Sequence, residues 1–302
     1  MKVTAIRSDE IYKKMISSKL EQRDDIYRYE LMKPFEFKWS CIGIPIKADQ
    51  SGGYDVVMAS SMGGGFSPSQ INSERINDVK KISDERFWSD CGESITKTLN
   101  EFEDNGISLP TKDYIFTVLL NDPLNPMSKM TGDYCGDGGI PGYIIGTIIP
   151  NEQSIKMLPV ALDHETNHNV RWQFMQWSNK ITLGDMIVSE GLAENFAAFM
   201  FGEDKIGMWV KNTTAETLAT VIKPAIKENL NNNDFNKLSA FLYGDEIMAM
   251  RGVKPVGMPY CAGYACGYYL IKHYLKKTGK TIFEATITPT IDILKETEDF
   301  WN

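Results

Sequence analysis

Two histidines stand four residues apart in the segment His164-Glu165-Thr166-Asn167-His168. On a helix this spacing puts both imidazoles on one face, one turn apart, where a single metal ion can contact both. Glu165 projects at an adjacent angle, so its carboxylate can take a proton from metal-bound water without being a ligand. The chain has only three histidines, and two of them lie here. The pattern predicts a helix that holds one catalytic Zn²⁺ through His164 and His168, with Glu165 as the general base.

The competing interpretation is a helix with two hydrogen-bonded core histidines and a surface glutamate. Apolar residues precede the motif, and Trp172 and Phe174 follow it, so much of the helix circumference is apolar. Two unligated imidazoles and a carboxylate would be costly in such surroundings. A bound metal compensates for that cost, which favours the metal site.

A catalytic zinc usually has three protein ligands and keeps a fourth position for water. The helix predicted next along the chain contains Ser189-Glu190-Gly191-Leu192-Ala193-Glu194, and a short connection can bring an antiparallel helix opposite the first. We expect Glu190 to be the third ligand. Glu194, one turn later on the same face, can accept the N–H of a ligand imidazole and fix its tautomer. Both glutamates can alternatively be solvated helix charges, and Asp163 is expected at the surface.

These motifs resemble those of the gluzincins, metallopeptidases whose third zinc ligand is a glutamate. The stretch from about Leu158 to Phe201, with Thr-Leu-Gly-Asp leading to Ser-Glu-Gly-Leu-Ala-Glu, is more narrowly similar to the YjaZ-like family of predicted zinc-dependent proteases. A weaker similarity covers Gly263 to Gly267. Thr166 and Asn167 depart from the family pattern. Neither is at a zinc-ligand position, so these departures bear on substrate preference more than on metal binding. The resemblance implies a zincin-like fold and peptide or protein substrates.

The resemblance also implies a Tyr or His on a later helix that stabilises the oxyanion, and the candidates are Tyr264, Tyr260 and His273. Gly263 and Gly267 would let that helix approach another backbone closely, which favours Tyr264. Tyr264 can instead belong to an aromatic core stripe. His273 stands among lysines near the helix end, where an exposed histidine is favoured by the helix dipole.

An edge strand just before the metal helix is a further implication of the resemblance, because a peptide can lie along it by backbone pairing. The segment from Tyr143 to Thr147 is placed for that role, with Tyr143, Ile144 and Ile145 as substrate-binding residues. The same segment can also be an interior strand. The glycines at 136–139 fit no phosphate-binding motif and are expected to form a loop at the rim of the cleft.

The expected reaction is hydrolysis of a peptide bond by water that the metal activates, with Glu165 moving the proton from water to the departing amine. The main alternative is a zinc-binding regulatory or binding protein that keeps the ligands and hydrolyses nothing. A helical interaction domain with an accidental motif, and a hydrolase of non-peptide amides, are two others. Specificity and oligomeric state are not encoded in these motifs.

Periodicity and turn residues predict the elements that position these side chains. The predicted helices are Asp9 to Glu30, Asp84 to Asn105, Pro159 to about Trp177, Thr182 to Phe201, Ala215 to Asn229, Asp234 to Tyr243, Cys261 to Lys277 and a last one after Pro289. The predicted strands are a hairpin, Phe37 to Lys47 with Tyr54 to Ser60, followed by Tyr114 to Leu120 and Tyr143 to Ile149.

Strands early and helices late indicate an α+β fold, with a small, mainly antiparallel sheet in the N-terminal half packed on the metal helix. The C-terminal half is expected to be mostly helical. Residues 1–110 would form a helical region with the β-hairpin, and 111–302 the zincin-like catalytic region. One continuous domain, 1–302, is the alternative.

Composition bounds the remaining possibilities. The net charge of −8 and the pI near 5.1 disfavour nucleic acid and anionic membrane surfaces as partners. The first ten residues lack the apolar stretch of a signal peptide, and no segment is long and apolar enough to span a bilayer. Five scattered cysteines without a C-x-x-C pair suit a reducing compartment. We therefore expect a cytoplasmic protein.

Overall fold

A computed structural model of the chain describes residues 1–125, 128, 132–175 and 180–302. Its contacts divide these residues into two compact units. The first contains Met1–Glu101 and Pro110–Asn169, and the second contains Phe102–Leu109 and Val170–Asn302. The predicted boundary between regions 1–110 and 111–302 matches neither unit and stays a prediction.

Helices dominate the described residues, and α+β is confirmed as the fold class. In chain order the α-helices are α1 Ser8–Ser17, α2 Leu20–Ile26, α3 Glu36–Cys41, α4 Val56–Met62, α5 Ile76–Lys81, α6 Glu85–Asp104, α7 Glu152–Phe174, α8 Leu183–Phe201, α9 Met208–Asn212, α10 Ala215–Thr217, α11 Lys223–Asn229, α12 Phe235–Tyr243, α13 Asp245–Ala249, α14 Ala262–Thr278, α15 Ile282–Thr286 and α16 Thr290–Glu296. Short 3₁₀ turns and two π-helical segments, Tyr27–Met32 and Leu218–Ile222, connect several of them.

One mixed sheet lies in the first unit. Its strands are β1 Lys2–Ala5, β2 Asp113–Leu120, β3 Tyr134–Ile140 and β4 Tyr143–Ile148, in the spatial order β1-β2-β4-β3. The pairs β1–β2 and β2–β4 are parallel, and β3–β4 is antiparallel. Strand β2 is buried along nearly its whole length, which is typical of a central parallel strand covered on both faces.

This topology corrects two predictions. The sheet is not mainly antiparallel, because β1, a strand not predicted from the sequence, joins β2 in parallel and β2 joins β4 in parallel. Strand β4 is not an edge, since β2 and β3 pair with its two sides. Among the described residues the strand at that edge is β3. The glycines at 136–139 accordingly belong to a strand and not to a loop.

The predicted β-hairpin between residues 37 and 60 is also wrong, because the two segments form α3 and α4. Helix α4 begins at Asp55, whose carboxylate accepts the Val57 N–H at 2.9 Å. Such an N-cap outweighs the weak strand propensity of the valines that follow. In α3, Lys38 and Trp39 are buried. Their burial depends on tertiary contacts, which a local sequence pattern cannot show.

Helix α7, which carries the histidine motif, is longer than predicted. It begins at Glu152, after Asn151 and Ser154 exchange side-chain hydrogen bonds with each other's backbone N–H groups. Pro159 lies inside the helix and not in its first turn. The predicted end near Trp177 lies outside the described residues, and the helix is assigned to Phe174.

Helices α8 and α14 form the main helix pair of the second unit. The capping box predicted from Thr182 and Asp185 opens α8, and Gly202 ends it, as predicted. Gly191 of α8 meets Gly267 of α14 so closely that a Cβ on either would overlap the other helix's backbone. Buried Asn195 adds hydrogen bonds to the Gly191 and Tyr268 carbonyls.

The remaining predicted helices are confirmed within a few residues, except that the predicted helix from Asp9 to Glu30 is divided at Ser18 and Lys19 into α1 and α2. Helix α6 matches the prediction from Asp84 to Asn105, and Gly106 adopts the left-handed conformation, φ 81°, expected after its end. The predicted helix from Ala215 to Asn229 is present but contains the π-helical segment. No helix among the described residues combines the length and hydropathy needed to cross a lipid bilayer.

Candidate metal site

His164 and His168 point to the same place from successive turns of α7. Their Nε2 atoms lie 3.1 Å apart, and their ring centroids are 4.8 Å apart. His168 is buried and His164 half-buried. This is the arrangement predicted from the i, i+4 spacing.

Glu165 lies beneath strand β3. Its Oε2 accepts a hydrogen bond of 2.8 Å from the Gly138 N–H, and the side chain is largely buried. A Cβ at Gly136 would overlap the Glu165 side chain, and a Cβ at Gly138 would overlap its backbone carbonyl. The glycines are therefore required by the close passage of β3 over α7.

Asn169, which sequence reasoning missed, fastens the β3–β4 turn to α7. It is fully buried. Its Oδ1 accepts the Gly142 N–H at 2.8 Å, and its Nδ2 contacts the carbonyls of Gly138, Ile140 and Tyr143 at 2.8–3.0 Å. The only local signal was a polar residue following the motif on an apolar helix, which does not say what that residue binds.

Asp163 was expected at the surface, and this is wrong. It is fully buried, and its carboxylate accepts a hydrogen bond from Thr98 of α6. Burial raises the pKa of Asp163 to about 7, against the opposing effect of the Thr98 hydroxyl. The side chain thus faces the packing between α6 and α7.

The two glutamates of α8 have different surroundings. Glu190 is half-buried, whereas Glu194 is buried and accepts a hydrogen bond from the Gly207 N–H just before α9. Neither is the fully solvated helix charge of the alternative interpretation. The predicted role of Glu194 toward a ligand imidazole stays a prediction.

The three oxyanion candidates lie on or beside α14. Cys261 lies between Tyr260 and the first residue of α14, and it has a left-handed backbone conformation with φ 48°. Burial raises the pKa of its thiol to about 12; a Tyr260 hydrogen bond opposes this, and the charge of Glu190 adds to it. The start of α14 therefore lies within electrostatic reach of Glu190.

Tyr264, in the first turn of α14, is half-buried, with its ring 5.7 Å from that of Tyr243. His273 lies nine residues further on, roughly 13 Å along the axis. It pairs with Asp299 at 3.2 Å. His273 is half-buried, so it is less exposed than the alternative interpretation expects.

His164, His168 and Glu190 form a cluster in which each residue offers one ligand atom, and these atoms all lie within 4.8 Å of one another. Two nitrogens bound tetrahedrally to zinc stand roughly 3.3 Å apart, given bond lengths of about 2.0–2.1 Å, and the Nε2 separation is 3.1 Å. Two imidazoles and one carboxylate also form a donor set that suits Zn²⁺. The three residues therefore fit a zinc ion.

Comparison with known proteins places the chain in a family. Residues 87–295 match the model of a family described as "Predicted Zn-dependent protease (DUF2268)", and this span includes every residue of the cluster. The "Uncharacterized protein YjfC" of Bacillus subtilis (strain 168) is 35% identical over 288 residues, which is 95% of each chain. No solved structure matches the chain. The chain thus belongs to the DUF2268 family of predicted Zn-dependent proteases.

Proposed function

We propose that this protein is a zinc-dependent metallopeptidase in which His164, His168 and Glu190 hold the metal. The observation that carries the proposal is the convergence of these three ligand atoms within 4.8 Å, directly beside Glu165. The description of the family as predicted Zn-dependent proteases supports it.

A bound Zn²⁺ supplies a Lewis acid that lowers the pKa of water and polarises a carbonyl group. Glu165 accepts the proton that water loses as its oxygen forms a bond to the peptide carbonyl carbon. Glu165 then donates that proton to the amide nitrogen as the C–N bond breaks, so the products are a carboxylate and an amine. The Gly138 N–H holds Oε2 of this carboxylate in place.

Strand β3, and not β4, is the segment that can pair with a peptide substrate. The backbone of Tyr143, Ile144 and Ile145 belongs to an interior strand, whereas one side of β3 lies at the sheet edge. An extended peptide that joins β3 would pass next to Glu165, because Gly136 lies directly over that side chain and the Gly138 N–H donates to it.

Tyr264 is the residue that we propose for stabilising the negative charge that develops on the carbonyl oxygen. Tyr264 lies in the first turn of α14, three residues after Cys261, whose thiol is within electrostatic reach of Glu190. This position supports Tyr264 over His273. Tyr260 is adjacent to Cys261 and is the second candidate.

The test combines metal analysis with peptide-library digestion of the full chain and four variants. We expect close to one zinc per chain in wild type and in Glu165→Gln, and a large loss of zinc in His168→Ala and Glu190→Gln. Because general-base catalysis contributes about 10²–10⁴-fold, Glu165→Gln should lower the cleavage rate by that factor. Exposed Glu216→Gln is the matched control and should cleave like wild type.

Each contrary outcome has a distinct meaning. Full zinc with no cleavage by wild type would support the zinc-binding regulatory protein and contradict the peptidase. Substoichiometric zinc that His168→Ala does not change would indicate an accidental motif. A Glu165→Gln protein that keeps the wild-type rate would refute the role of Glu165.

A further inference from the structure

Strand β3 leaves its regular pairing with β4 just above the histidine motif. The register shifts between Asp137 and Ile140, which is the mark of a β-bulge. Backbone groups in a buried bulge need other hydrogen-bond partners. Asp137 accepts the Gly139 N–H. Two side chains of α7 supply other partners: Glu165 accepts the Gly138 N–H, and Asn169 donates to the Gly138 and Ile140 carbonyls.

The oxygen and the nitrogen of the Asn169 amide both form hydrogen bonds to backbone groups. Its oxygen accepts one N–H, and its two N–H donors are shared among three carbonyls. The residue is completely buried, so water does not replace these bonds. A side chain that only filled space at this position would not need to be an amide.

We propose that Asn169 is a positioning residue for Glu165. Asn169 fixes the bulge by the Gly138 carbonyl, and the N–H of the same glycine fixes one carboxylate oxygen of Glu165. With Oε2 held, rotation of the carboxylate is restricted, and the direction of Oε1 is set. The functional segment of α7 therefore extends one residue beyond His168, to Asn169. Gly136 and Gly138 are the residues of β3 that contact this segment.

Hydrogen exchange tests this arrangement without any assay of activity. In ¹⁵N-labelled full-length protein, as purified, the Gly138 and Gly142 amides should both exchange slowly. Asn169→Ala should raise the exchange rates of both amides at least tenfold. Glu165→Ala should raise the exchange rate of Gly138 by a similar factor and leave that of Gly142 unchanged, because the Gly138 N–H donates to Glu165 whereas the Gly142 N–H donates to Asn169.

The matched control is Ser154→Ala. Ser154 is equally buried on α7 and also bonds strand-end backbone, at Ile149 and Asn151, but it lies more than two turns before the motif. Ser154→Ala should leave the exchange rates of the Gly138 and Gly142 amides unchanged. Fast exchange of Gly138 in wild type, or an unchanged rate in Asn169→Ala, would overturn the proposal. If Asn169→Ala does not fold, the isosteric Asn169→Asp replaces it. This variant keeps the acceptor for the Gly142 N–H and loses the amide donors, so Gly138 should exchange faster while Gly142 stays slow, and an unchanged Gly138 rate would overturn the proposal.

The catalytic consequence rests on the proposed function and is measured separately. Loss of an orienting partner typically costs 10–100-fold, so Asn169→Ala should lower kcat by about that factor. KM should stay within about twofold, and zinc content should equal that of wild type. Ser154→Ala should keep the wild-type kcat. An unchanged kcat in Asn169→Ala would contradict the positioning role, whereas a wild type that cleaves no peptide would contradict only the peptidase.

Discussion

Asp9 carries a charge that is fully buried and fully paired. Arg7 contacts its carboxylate at 2.8 Å and Lys13 at 3.0 Å. Burial opposes its ionisation, but the hydrogen bonds from Arg7 and Lys13 outweigh that effect and keep the pKa of Asp9 below its ordinary value. The ionised form therefore stabilises the fold above the unfolded-state pKa, about 3.9. That stability is lost as pH falls through the lower folded-state pKa.

We expect Asp9→Asn to lower the free energy of unfolding by about 2 kcal/mol at pH 7. The difference from wild type should shrink as pH falls below about 4. Urea denaturation between pH 3 and pH 7 measures it, with exposed Asp49→Asn as the control. A difference that stays constant over this range would show that the Asp9 charge is not responsible.

At the level of single residues, the sequence predicts a residue's role where that role depends on neighbours within one helical turn. His164, Glu165 and His168 are recognisable because four residues make one helical turn. Asn169 and Gly138 are not, because each derives its role from a partner that is about 30 residues away in the chain. Asp163 was misplaced for the same reason, since its partner Thr98 lies on another helix.

The crossing of α8 and α14 depends on two residues without side chains. Helix propensity alone predicts that Gly191→Ala stabilises α8 by about 1 kcal/mol. The new Cβ would, however, overlap the Gly267 carbonyl, and overpacking against backbone costs about 3 kcal/mol. We therefore expect a net loss of stability in thermal unfolding.

Gly92→Ala is the control for this prediction. It also replaces a helical glycine, in α6, but its Cβ would meet only the Phe116 ring at 3.5 Å, an ordinary contact. It should be neutral or stabilising. Equal effects of the two substitutions would show that the α8–α14 crossing is looser than described.

Elements with strong end signals were predictable, as the capping box of α8 and the glycine after α6 show. Strand β1 was missed because four residues carry little periodicity, and its parallel pairing with β2 joins segments about 110 residues apart. The hairpin was predicted wrongly because strand propensity depends on context, and here the β-branched and aromatic residues lie in two short, partly buried helices. The start of α7 was misplaced because proline usually marks a first helical turn.

Across the second unit, one guanidinium joins distant parts of the chain. Arg171, on the last turn of α7, is almost completely buried and donates to the carbonyls of Thr286 and Thr288 and to the Thr290 hydroxyl, at 2.8–3.0 Å. Burial lowers its pKa to about 10, so the group remains charged at neutral pH.

We expect Arg171→Lys to destabilise the protein by about 3 kcal/mol, because one ammonium nitrogen cannot occupy the positions of both guanidinium nitrogens and the Thr286 and Thr288 carbonyls are buried. The urea midpoint measures this effect. Arg86→Lys is the control, since the Arg86 side chain is 84% exposed, and it should leave the midpoint unchanged. Similar midpoints for both variants would contradict the structural role of Arg171.

The same three bonds bear on the timing of protein synthesis. Arg171 precedes its acceptors by 115 to 119 residues. At a translation rate of about 5–20 residues per second, it emerges from the ribosome roughly 6 to 24 s before the last acceptor does. Until residues 286–290 have left the ribosome, the end of the histidine-bearing helix therefore lacks all three of these hydrogen bonds.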